Sequence, residues 1–196
     1  MSIERLQDPE APVEIKRFSQ EAREALEKSF FVIYGLTGQS IKTLRGNGCQ
    51  FRSTWHKELP SFEALGSMHS EVAVNPNKLF LPKSSRKRLS QQEKMVEKFS
   101  QELGQQVQGV KAIIGQAPDY AELAFQHLNA TNKYLFGAKD KYSYARTKTR
   151  TSSSYVSRVV ACVGNFDDAD SSLYILYFHA NRKFDLVHAA ALVVPA

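Results

Sequence analysis

The spacing of apolar residues changes along the chain and divides it into segments. From Val13 to Lys28 the residues Ile15, Phe18, Ala22, Ala25 and Leu26 recur at helical spacing with charges between them, which predicts an amphipathic helix. The run from Phe30 to Tyr34 is short, aromatic and β-branched and predicts a buried strand. Gly35–Ser40 follows as a glycine loop ahead of a short helix over Ile41–Arg45. Two short strands, Glu71–Val74 and Lys78–Leu81, flank Asn75-Pro76-Asn77. Ser90-Gln91-Gln92-Glu93 fits a capping box, and Met95, Val96, Phe99 and Leu103 form the stripe of the helix it opens, with Gly104 as its stop. Gly109–Ile114 reads as a strand, and a further helix starts near Asp119 with Leu123, Ala124, His127 and Leu128 inward.

Beyond Tyr142 the pattern turns wholly to strands: Tyr142–Thr151, Tyr155–Val163, Leu173–Phe178 and Ala190–Val194, joined by short polar turns. Helices early and strands late predict an α+β fold. The expected architecture is about three amphipathic helices packed on an antiparallel sheet that includes a C-terminal four-strand meander. Residues 13–196 are expected to form one domain, preceded by a flexible arm over residues 1–12 with Pro9 and Pro12.

Charge adds to this picture through its placement. The net charge is +6, yet residues 83–98 alone hold six basic and two acidic residues, and residues 131–160 hold seven and one. The first block contains the loop Lys83–Arg88 just ahead of a helix start, where the partial positive charge of the helix end adds to the attraction for anions. In the second block, alternation along the strand Tyr142–Arg150 puts Tyr142, Tyr144, Arg146, Lys148 and Arg150 on one face. That row has two readings. It is a solvated edge whose like charges discourage strand addition, or a surface whose rings stack on bases and whose cations meet phosphates. Arg86, Lys87 and Arg88 would supply a second phosphate contact.

The remaining candidate chemistry is sparse. Cys49 and Cys162 stand apart, with no CxxC and no cluster with histidine, so a structural zinc site and a disulfide are not expected. No cofactor is expected. No apolar run reaches the length of a membrane span, and the N-terminal residues lack the apolar core of a signal peptide. The expectation is a reducing, cytoplasmic location with no membrane partner. Glycine loop Gly35–Ser40 lacks the lysine and spacing of a phosphate-binding loop. Asp167, Asp168 and Asp170 crowd one turn, and His179, Asn181, Asp185 and His188 lie close together in sequence. Loop carboxylates with histidine can hold a hard cation and activate water, which makes a metal-dependent phosphodiesterase the alternative.

The leading expectation is a small basic protein that binds nucleic acid or another polyanion through the Tyr/Arg/Lys strand face and the basic loop. An interaction module for an acidic protein partner is the third reading. The first requires that two segments some fifty residues apart meet in space.

Overall fold

The computed structural model describes residues 13–137, 142–151 and 158–196. The N-terminal arm, the Lys-rich turn and the serine run with the start of the second C-terminal strand lie outside the described residues. The helices are α1 (Gln20–Lys28), α2 (Ile41–Gly46), α3 (Pro60–Ala64), α4 (Leu89–Gln106) and α5 (Ala117–Thr131). The strands are β1 (Val32–Thr37), β2 (His69–Val74), β3 (Val110–Ile113), β4 (Tyr144–Arg150), β5 (Val159–Asp167), β6 (Ser172–His179), β7 (Val187–His188) and β8 (Leu192–Pro195). They form two four-stranded sheets, ordered β1-β2-β8-β3 and β6-β5-β4-β7. The fold is α+β.

The layers follow from which faces are apolar. α5 lies between the sheets, and ten of its fifteen residues are buried, as a helix covered on both sides requires. On one side of α5 stand Leu36, Val72 and Leu192 of the first sheet; on the other stand Val163, Phe166 and Ile175 of the second. The opposite face of the first sheet, with Ala73, Val110 and Val193, packs against α1 and α4 through Leu26, Val96 and Leu103. A third, smaller cluster covers the outer face of the second sheet: Tyr144, Cys162 and Val187, with Tyr174, Leu176, Phe178 and Phe184 against them.

Several local expectations shift for tertiary reasons. The first helix begins only at Gln20, where the Ser19 hydroxyl accepts from the Ala22 amide at 3.2 Å. Residues before it are extended instead: Lys16 donates to the His69 carbonyl at 3.2 Å and accepts from the Glu71 amide at 2.8 Å. α4 starts one residue ahead of Ser90, because the Leu89 amide donates to the Ala180 carbonyl at 2.8 Å and the Gln91 side chain accepts from the Arg88 amide at 3.0 Å. Gly104 lies inside that helix and does not end it. Lys78–Leu81 gives a single 3-10 turn at Pro76–Lys78 and an isolated bridge from Phe80 to Ala190, not a strand. In the C-terminal sheet β4, β5 and β6 are antiparallel neighbours, but the fourth position belongs to β7, parallel to β4. β8 leaves that sheet and inserts between β2 and β3, where Leu192 and Val193 find an apolar layer on each side.

Candidate functional site

The outer face of the second sheet is set by its register. Tyr144, Gly164 and Tyr174 oppose one another across β4, β5 and β6, as do Arg146, Cys162 and Leu176 in the next row. Past a bulge in β4 the third row is Arg150, Val160 and Phe178. Residues directly opposite in antiparallel strands share a face, so one surface runs from a tyrosine end to an arginine end. On β6 the two end rows, Tyr174 and Phe178, are four residues apart, about 13 Å at ordinary strand rise.

The expected row Tyr142, Tyr144, Arg146, Lys148 and Arg150 is not displayed intact. Tyr142 is 50% exposed. Tyr144 is buried, and burial pushes its phenol up to about 12, with the Tyr174 and Tyr142 phenols close enough to add to the effect. Arg146 is fully buried: Nη1 donates to the Ala180 carbonyl at 2.9 Å and Nη2 to the Arg182 carbonyl at 3.2 Å. Burial lowers the hold of its guanidinium on the proton, but arginine stays charged. Its role is to hold the turn after β6, not to face solvent.

Lys148 and Arg150 are exposed but separate. Lys148 lines a shallow groove with Ser67, Met68, Gly115 and Asp119, and its amide donates to the Gly115 carbonyl at 3.0 Å. Arg150 lines a groove of about 410 Å³ with Arg158, Val160, Ala180 and Asn181 of the second sheet and its turn, and Leu89, Ser90 and Glu93 of α4. Asn181, Arg182 and Lys183 are exposed on the turn that crosses between this groove and the tyrosine end.

The loop ahead of α4 contributes unevenly. Arg86 is paired with Asp185 through two hydrogen bonds, Nε to Oδ1 and Nη2 to Oδ2, the second at 3.1 Å. Lys87 is partly exposed, and Arg88 is exposed at the helix N-cap. Where α4 begins, Leu89, Ser90 and Glu93 share a groove with Arg150 and Arg158, and Arg86, Lys87 and Arg88 are not among the described residues that line it. Arg88, Arg150, Arg158, Arg182 and Lys183 form no ion pair among the described residues.

The acidic candidates for the phosphodiesterase reading are dispersed. Asp167 and Asp170 face Arg52 at 3.7 and 3.6 Å, Asp185 is bound to Arg86, and His179 Nδ1 accepts from the Asn181 amide at 3.2 Å. Among the described residues no three or more of His, Cys, Asp and Glu are grouped to hold a metal ion. Asp168 stands exposed in the same turn.

The buried polar groups that sequence reasoning passed over are elsewhere and serve the fold. Glu122 accepts from the Thr37 amide and hydroxyl at 3.0 and 2.8 Å, from Gln126 at 3.0 Å and from the Ser67 hydroxyl. Asp119 accepts from the Met68 amide at 2.7 Å and the Gln116 amide at 2.6 Å, and burial holds its carboxyl above the usual range. Together they tie the glycine loop and the segment before β2 to α5. Arg45 binds Glu63 with two hydrogen bonds, at 2.7 and 3.0 Å, and Glu63 also meets the buried His56. Spacing could have found Asp119 and Glu122, one helical turn apart on an otherwise apolar helix. It gave no sign of Glu63 and His56.

Trp55 anchors its irregular stretch, donating to the Ile175 carbonyl at 2.6 Å, and His127 meets the Tyr34 hydroxyl at 2.6 Å in the core. No helix among the described residues is long and apolar enough to cross a membrane. Cys49 and Cys162 are both free thiols. No family model matches the chain, and neither a curated protein nor a solved structure shows significant similarity to it.

Proposed function

We propose that the protein binds nucleic acid or another polyanion in the groove where α4 begins against the ends of β4 and β5. The observation that supports this reading is the shared lining: Arg150 and Arg158 stand with the first residues of an 18-residue helix around one concavity. Guanidinium groups take phosphate oxygens with two hydrogen bonds at a time, and the helix start adds a partial positive charge. Among the described residues of the lining, Glu93 is the single carboxylate, against two arginines.

The interface differs from the row read along the strand. Arg150, Arg158 and Arg88 carry the charge, with Arg182 and Lys183 on the adjoining turn, Lys87 at the margin and Tyr142 at the far end of the face. Arg146 sets the turn from beneath, and Arg86 is occupied by Asp185. Lys148 belongs to a neighbouring groove.

Binding of a fluorescent oligonucleotide, and of heparin, across a salt series tests the reading. The double variant Arg150→Ala, Arg158→Ala is expected to bind at least tenfold more weakly near 50 mM salt. It should also flatten the slope of log K against log salt by about 1.4 to 1.8, the loss of two phosphate contacts. Equal affinity and slope for both proteins would remove this groove as the binding site.

A further inference from the structure

The tyrosine end of the same face identifies the kind of polyanion. Gly164 stands between Tyr144 and Tyr174 in one row, so the middle position is bare backbone flanked by two rings. Only glycine fits there: a methyl group would stand 2.8 Å from the Tyr144 Cα and closer still to the Ser143 carbonyl oxygen. Adjacent strands are about 4.8 Å apart, so the two tyrosine positions are about 10 Å apart, across a Gly164 that is itself buried against β4. Tyr144 is buried; Tyr174, across Gly164 from it, is partly exposed, and Tyr142, two residues before it, is half-exposed. Leu176 and Phe178, also partly exposed, continue the apolar surface along β6 toward the arginine groove.

We infer that the ligand is a single-stranded nucleic acid, with bases on Tyr142 and Tyr174 and its backbone led past Arg182 and Lys183 into the Arg150–Arg158 groove. This rests on the polyanion reading and adds the class of ligand. Rings lying on a sheet face take the flat side of a base, which a duplex keeps stacked on its neighbours and a single strand offers freely. A sheet face with aromatic rings at one end and cations at the other suits a chain whose bases and phosphates can be splayed apart. A polyanion without bases has nothing to place on the tyrosines.

The test compares three ligands at one salt concentration: a single strand of about 12 nucleotides, in DNA and RNA forms, the duplex of the same length, and heparin. Wild type is expected to bind the single strand at least tenfold more tightly than the duplex. Tyr142→Ala should weaken single-strand binding about fivefold or more and leave heparin binding unchanged. Tyr142→Trp should restore it. Equal affinity for all three ligands with no effect of Tyr142→Ala overturns this inference and leaves the polyanion reading standing. Preference for the duplex overturns it as well. Failure to bind any of the three overturns both.

Discussion

Arg146 Nη1 lies 2.9 Å from the carbonyl oxygen of Ala180, so the first cation of the strand Tyr144–Arg150 is spent on holding a turn. The same carbonyl accepts from the Leu89 amide at 2.8 Å. One oxygen thus joins the sheet face, the turn after β6 and the start of α4, and it positions the groove on which the functional reading depends. Replacing Arg146 by Met, of similar length but without donors, removes two hydrogen bonds from a charged group. The expected cost is about 2–4 kcal/mol, given about 1.5–3 for each such bond and the relief of a desolvated charge. Chemical denaturation reads it, and a midpoint equal to wild type would show that the turn holds without Arg146.

The pairing of Arg86 with Asp185 predicts a gain from a loss. Both groups are exposed, and each holds the other in its charged form. Asp185→Asn frees the Arg86 guanidinium beside the groove and removes one negative charge. Polyanion affinity at low salt should rise about two- to fivefold and the salt slope steepen by up to about one. Titration of heparin checks this, and weaker binding would mean that the ion pair itself shapes the surface.

At Gly164, substitution by Ala drives a methyl group into the backbone of β4, which cannot swing aside as a flexible side chain would. The expected destabilisation is about 1–3 kcal/mol. A shift of that size in the denaturation midpoint supports the close approach of β4 and β5, and an unchanged midpoint would contradict it.

Three histidines set the response to acid. Burial is the main cause that holds His56, His127 and His188 below the ordinary imidazole value; for His56 the Glu63 carboxylate pulls the other way and loses. The unfolded chain then takes up protons at higher pH than the folded one. Their contribution is complete above about pH 6.5 and is lost as pH falls through the folded values. Asp119 has the opposite sign: its raised carboxyl adds stability that is full below about pH 3.9 and is lost as pH rises through the folded value. Denaturation midpoints taken from pH 7.5 down to pH 5 should therefore fall. A flat profile over that range would mean that the loss from the three rings is absent or is matched by the gain from Asp119.

What was legible in the sequence was mostly local. Helical spacing gave the cores of α4 and α5, and β-branched runs gave β1, β2, β3, β5 and β6. The Trp55 indole needs an acceptor once it leaves water, and the Ile175 carbonyl supplies one. The extended Lys16 and the early start of α4 were not readable, since their hydrogen-bond partners, His69, Glu71 and Ala180, are remote in sequence.

The chain by itself determined the α+β alternation and the two concentrations of positive charge, because these depend on residue type and on periods of two and 3.6. Only the tertiary structure decided which charges face water. Alternation puts Arg146 and Arg150 on the same side of β4, but the turn after β6 folds over one and leaves the other open, and strand period carries no record of what covers a face. It also decided that Tyr174 stands across Gly164 from Tyr144, since register between strands is fixed by packing of whole layers and not by any short stretch within them.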